Sequence, residues 1–152
     1  MKRITIYSII FVVIDLLTKT LITCFMDVGD QLKIIPNFFN ITYVRNTGAA
    51  FSILENNRIF FIIIGIIALI FIYLYLIKNK VLNKYMMVCY SMLIAGIIGN
   101  MYDRIIYGYV IDFLSFNIFG YNFPVFNIAD SLIVVSIILL MFNEMRVSLC
   151  KK

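Results

Sequence analysis

The stretch that most limits what this chain can become is Ile59–Ile77, a run of 19 residues without a charge. A helix rising about 1.5 Å per residue needs roughly 20 apolar residues to cross a ~30 Å hydrocarbon layer. Three more apolar stretches accompany it, and spans are expected at about residues 4–25, 59–77, 85–103 and 124–143. Composition agrees: 63% of the residues are hydrophobic and 14% charged, against about 45–50% and 25% in soluble domains. The expected fold is membrane all-α: four transmembrane helices in one integral membrane domain. A small β-rich surface domain, outside the cytoplasm, follows span 1 (residues 26–58). A second surface segment (residues 104–123) lies between spans 3 and 4.

The net charge of +5 does not point to nucleic acid, because the basic residues are scattered beside apolar runs. They read instead as a topology signal. With the N-terminus in the cytoplasm, Lys2, Arg3, Lys78, Lys80, Lys84, Arg146, Lys151 and Lys152 fall inside, and Lys33, Arg45, Arg58 and Arg104 fall outside. Both termini are then cytoplasmic and both surface segments face outward. The opening Met1-Lys2-Arg3 and apolar core imitate a signal peptide, but no A-x-A site follows and Asp15 and Lys19 interrupt the run, so a retained span is expected.

Histidine is absent, which removes Ser-His-Asp and Cys-His mechanisms and the usual zinc protease sites. Cys24, Cys89 and Cys150 have neither paired nor metal-like spacing and read as small apolar filler. No metal or cofactor is expected.

Chemistry concentrates in five polar clusters. Asp15 and Lys19 stand four apart on the first span, in the favourable order for an intrahelical pair. The turn Asn46-Thr47-Gly48-Ala49-Ala50-Phe51 is full of small residues that let backbone approach a peptide. Gly99-Asn100-Met101-Tyr102-Asp103-Arg104 ends the third span. Ala95 and Gly99 are spaced for a close helix contact; the plain structural alternative for Arg104 is snorkelling with Asp103 as its partner, while Asn100 lies deeper and serves the site. Val110-Ile111-Asp112-Phe113 reads as loop or strand. Phe126-Asn127-Ile128-Ala129-Asp130 lies just inside the fourth span, opened by Pro124, with Asn127 and Asp130 on one face. Taken singly, each carboxylate can be a satisfied structural group. Brought together at a membrane boundary, Asp112 and Asp130 cannot both ionise cheaply. A protonated acid beside an ionised one is equipment for activating water against an amide.

In this order the clusters resemble the bacterial type II signal peptidases, the lipoprotein signal peptidases of aspartyl protease family A8, whose pattern is D-x-x-x-K, N-x-G-A-A-F, G-N-x-x-D-R, V-x-D-F and F-N-x-A-D. The match extends from Asp15 to Asp130; Ile111 replaces a valine common in the family. The resemblance implies a catalytic dyad of Asp112 and Asp130. It implies supporting or substrate-positioning roles for Asp15, Lys19, Asn46, Gly48, Asn100, Asp103, Arg104 and Asn127. It implies a diacylglyceryl-modified prolipoprotein as substrate, cut at the amide before the lipidated cysteine. It further implies inhibition by globomycin-like cyclic peptides, contact with membrane lipid, a monomer, and a place in the bacterial cytoplasmic membrane with the site at its outer face. Two other readings compete. An ion-binding transporter would use the same buried Asp and Asn residues as ligands, and a non-enzymatic scaffold would tolerate loss of either aspartate. A presenilin-like or prepilin-type protease is disfavoured because its G-x-G-D signature is missing.

Overall fold

Helix α1 (Lys2–Phe25) is built inside out. It buries Ile4, Ser8, Asp15 and Lys19 and exposes Ile6, Ile9, Ile10, Val13, Ile14, Leu17 and Leu21. Water would drive the opposite choice, so the medium around this helix is apolar. The computed structural model describes residues 2–48, 54–78 and 83–149. Within them, α1, α2 (Arg58–Lys78), α3 (Lys84–Ile106) and α4 (Ile128–Leu149) are each long and apolar enough to cross a membrane. Ala49, Ala50 and Phe51 of the small-residue turn, together with Lys80, Cys150, Lys151 and Lys152, lie outside the described residues.

Helix α3 is the hub, packing against α1, α2 and α4. Its small residues make this possible. Ala95 is fully buried. A Cβ on Gly96 would strike the carbonyl oxygen of Ala129 on α4, and one on Gly99 would strike the Asp15 carboxylate on α1. Polar stitches add to this packing: the Ser8 hydroxyl donates to the Ser91 carbonyl at 3.3 Å, and the Ser91 hydroxyl reaches the Ile4 carbonyl at 3.2 Å. Helix α2 buries only Gly65 and Leu76 and sets its Tyr75 ring against Tyr90 of α3, with centres 5.3 Å apart.

The two surface segments do not form separate units. Strands β1 (Gln31–Ile35), β2 (Phe39–Asn46), β3 (Val110–Ile118) and β4 (Tyr121–Asn122) make one antiparallel sheet in the order β1-β2-β3-β4. The first segment supplies β1 and β2, and the second supplies β3 and β4. The central pairing sets Val44 against Asp112 and Asn46 against Val110. That register carries the end of β2 to the position from which the Asn46 side chain meets Asp112.

Two boundaries differ from the sequence expectation. The fourth helix starts at Ile128, not Pro124. Residues before it run extended, with Phe126 bridged to Leu114 of β3, because pairing with the sheet satisfies backbone groups that a proline-led first turn would leave open. Asp130 therefore sits in the first turn of α4, not a turn and a half down it. The third helix runs on to Ile106, where the Tyr107 N–H closes the last turn on the Asp103 carbonyl at 2.8 Å.

Candidate active site

The start of α4 is a reciprocal cap. The Asn127 side-chain oxygen accepts the Asp130 N–H at 2.9 Å, and an Asp130 carboxylate oxygen accepts the Asn127 N–H at 3.2 Å. This is a capping box with aspartate in the usual place of glutamate. The shorter side chain is drawn tightly against the helix end, so the Asp130 carboxylate has one orientation. Its other oxygen accepts the Asn100 amide from α3 at 2.7 Å.

Asp112 comes to the same place from β3. Alternation along the strand turns Val110 and Asp112 towards a cavity and Ile111 away from it. Asp112 is buried, with 2% of its surface exposed. One of its oxygens accepts the Asn127 amide at 2.7 Å and the other the Asn46 amide at 2.8 Å. The Asn46 amide is itself fixed, because its oxygen accepts the Gly48 N–H at 2.9 Å. Burial, then the charge of Asp130, pushes the Asp112 carboxyl up to about 7 against two lowering hydrogen bonds from Asn46 and Asn127. Asn127 is thus the bridge: its side-chain amide holds Asp112, its backbone N–H holds Asp130, and the same amide also reaches the Asn100 side-chain oxygen at 3.1 Å.

Two more carboxylates, Asp15 and Asp103, lie behind this pair. Lys19 is buried between Asp15 at 2.8 Å and Asp103 at 2.9 Å, and it donates to the Asn100 oxygen at 3.2 Å. The expected self-contained pair of Asp15 and Lys19 is therefore a three-residue ion cluster. The alternative pairing of Arg104 with Asp103 is corrected. Successive helical residues point about 100° apart, so Asp103 faces α1 while Arg104 turns towards the cavity. There its guanidinium donates to the Gly48 carbonyl at 2.9 Å and to the Asn100 carbonyl at 3.3 Å, and lies 4.6 Å from the centre of the Phe61 ring.

The cavity between these groups has a volume of about 490 Å³, within the ~300–1,000 Å³ usual for ligand sites. Its polar end carries Asn46, Asn100, Arg104, Asp112 and Asp130; its walls are Phe123 to Phe126 and, along α4, Val134 and Val135. Those two valines also form part of the exposed apolar surface of α4, so the cavity continues into the face that meets lipid. The sequence reading had no account of this wall or of Phe61 beneath Arg104. The spacing Asn127-x-x-Asp130 was the visible signal for the helix start. Among the described residues no cluster of His, Cys, Asp and Glu has the arrangement of a metal site.

Two carboxylates held by fixed amides at one end of an apolar, lipid-open cavity are the equipment of a membrane peptidase of the aspartic type. The comparisons carry this further. The family model described as signal peptidase (SPase) II matches residues 7–146. Lipoprotein signal peptidases of Staphylococcus aureus strains JH9 and Newman are 44% identical over 145 residues, covering 95% of this chain and 89% of theirs. A bacterial membrane enzyme solved by the in meso method at 2.3 Å superposes with a TM-score of 0.92 at 41% identity, covering 100% of this chain and 93% of its own. A second, at 1.9 Å, gives 0.84 at 43% identity over 94% and 92%. The chain belongs to the signal peptidase II family.

Proposed function

We propose that Asp112 and Asp130 are the catalytic pair with which this peptidase removes the signal peptide from prolipoproteins. The observation that carries the assignment is Asn127, whose side-chain amide and backbone N–H hold the two carboxylates at one end of a single cavity. Asp130 lies at the N-terminus of α4, where the helix dipole favours a negative charge. Asp112, held up to about 7 by burial and by that neighbour, keeps the proton. Asp130 then takes a proton from a water between the two, and the resulting hydroxyl adds to the scissile carbonyl while Asp112 donates a hydrogen bond to its oxygen. Collapse of the tetrahedral intermediate breaks the C–N bond, and the leaving amine is protonated from the pair. The two acids titrate as a unit.

Asn46, Gly48, Asn100, Arg104 and Asn127 position the pair and the substrate peptide; Asp15, Lys19 and Asp103 brace them. The substrate is a prolipoprotein with diacylglycerol on its cysteine, cut on the N-terminal side of that residue. The cavity supports this reading, because its polar end meets the peptide while the Val134–Val135 wall opens towards lipid and lets acyl chains remain there. The basic residues favour cytoplasmic termini, with the sheet and site on the outer face of a bacterial cytoplasmic membrane. The whole chain works as one peptidase domain. The peptidase works as a monomer. Globomycin-like cyclic peptides fit the same cavity as blockers.

The test is to incubate the purified protein in lipid vesicles with a diacylglyceryl-modified prolipoprotein and identify the products by mass spectrometry. The expected product begins at the lipidated cysteine and fails to form when globomycin is present. Cleavage elsewhere, or equal cleavage of unlipidated precursor, would overturn the substrate assignment.

A further inference from the structure

The Lys19 cluster has a symmetry that bracing alone does not require. Asp15, besides its ion pair with Lys19, accepts the backbone N–H of Ala129 at 2.9 Å. Asp103, besides its own ion pair with Lys19, accepts the backbone N–H of Ile111 at 3.1 Å. Ala129 immediately precedes Asp130, and Ile111 immediately precedes Asp112. One ammonium therefore holds two carboxylates, and each carboxylate holds the backbone one residue before one of the two acids. Lys19 also holds the Asn100 oxygen at 3.2 Å, which directs the Asn100 amide onto Asp130.

All of this is closed to water: Asp15, Lys19 and Asp103 are 0%, 2% and 1% exposed. The ammonium lies 2.8 Å and 2.9 Å from one oxygen each of Asp15 and Asp103 and donates to the Asn100 oxygen, so it is held from three sides. Phe126 already pairs with Leu114 of β3 and Asn127 joins the two acids from the front; the Lys19 cluster is a second fastening, from behind, of strand β3 and helix α4.

We infer that Lys19 is a positioning residue that sets the spacing of the two acids by fastening Asp15 and Asp103, and through them the backbone ahead of each. The inference rests on the assignment of Asp112 and Asp130 as the catalytic pair. It differs from a purely structural role in what is lost on substitution. A structural lysine governs how much protein folds, whereas a spacing lysine governs turnover by each folded molecule.

The first variant for the test is Lys19→Met combined with Asp103→Asn. The native cluster has one cation and two anions; the variant keeps one anion, Asp15, so the net charge near the acids is unchanged. The asparagine oxygen can still accept from Ile111, and only the fastener is removed. In lipid vesicles, with turnover normalised to folded protein, kcat should fall on the order of 10²-fold, the usual effect of a misplacement of about 1 Å. KM should stay within about threefold, and the pH profile should not move. Lys19→Arg is the second variant, needed if the first does not fold. It keeps the charge, but a planar guanidinium cannot meet three acceptors arranged for an ammonium, so kcat should again fall with KM held. Wild-type kcat in either folded variant overturns the inference. So does a shift of the pH profile by more than about one unit, which would make Lys19 a source of charge and not of spacing. Asp112→Asn measured alongside separates the two claims: if it still turns over, the catalytic assignment fails first.

Discussion

Helices α1 and α2 are both long, apolar and lipid-exposed, yet they do opposite work. Helix α1 sends Ser8, Asp15 and Lys19 inward to meet α3 and α4. Helix α2 sends inward only Gly65 and Leu76, and its contribution near the site is the Phe61 ring under Arg104. In lipid, burying apolar side chains between helices brings no hydrophobic gain, so α2 is held largely by shape and by Tyr75 against Tyr90 of α3, while α1 is held by buried polar groups that have no other place to be satisfied. A charge that interrupts a span therefore marks an attachment, and here the attachments converge on the site.

That contrast can be broken or sharpened by experiment. The largest expected effect is on pH-dependent stability and is confined to the polar region. Asp112 titrates near 7 in the folded protein against 3.8 ordinarily, so the folded state holds this proton more tightly than the unfolded chain. Its stabilisation is complete below about pH 4 and is lost as pH rises towards 7, on the order of 4 kcal/mol from this group. The thermal unfolding midpoint in detergent should thus be higher at pH 5 than at pH 8, and Asp112→Asn should flatten the slope. Turnover should decline in parallel as pH climbs through about 7 and Asp112 loses the proton it donates.

Next is Asn127→Ala, which removes the bridge between the two acids. A fall in kcat on the order of 10²-fold is expected from lost positioning, with about 1 kcal/mol of stability lost with the helix cap; steady-state kinetics and thermal melting measure the two. Gly99→Ala should cost about 1–3 kcal/mol, because its methyl group meets a carboxylate fixed by Lys19 and by the Ala129 N–H. The smallest effect is Gly65→Ala on α2. Its methyl group strikes the Sδ and Cγ of Met101, an unbranched side chain that can swing aside, and meets an Ile97 methyl at 3.5 Å, so the cost read from the melting midpoint should be at most about 1 kcal/mol, the low end of overpacking. Equal penalties at Gly99 and Gly65 would erase the distinction between the two helices.

The four apolar stretches were legible in the sequence because lipid solvation depends on local composition. The pairing of Asp15 with Lys19 was legible because four residues make one helical turn. Asp103 as the third member was not, since it meets Lys19 only when α1 and α3 pack, and that close approach depends on Gly99. The polar residues around Asp112 and Asp130 were identified by motif, but their connections were not: Asn46 and Asp112 are 66 residues apart, and only the β2–β3 register joins them. Pro124 drew the helix start too early, whereas Asn127 and Asp130 spelled out the cap that begins it. Proline is welcome in a first turn, but here the backbone around it pairs with β3 instead.

The central claim is that the acids at 112 and 130 share the chemistry, and initial rates of signal-peptide release by Asp112→Asn and Asp130→Asn test it most directly. With both proteins folded in vesicles and lipidated prolipoprotein in excess, each should be slower than wild type by at least about 10³-fold. Release by either at a rate within about tenfold of wild type would contradict the claim.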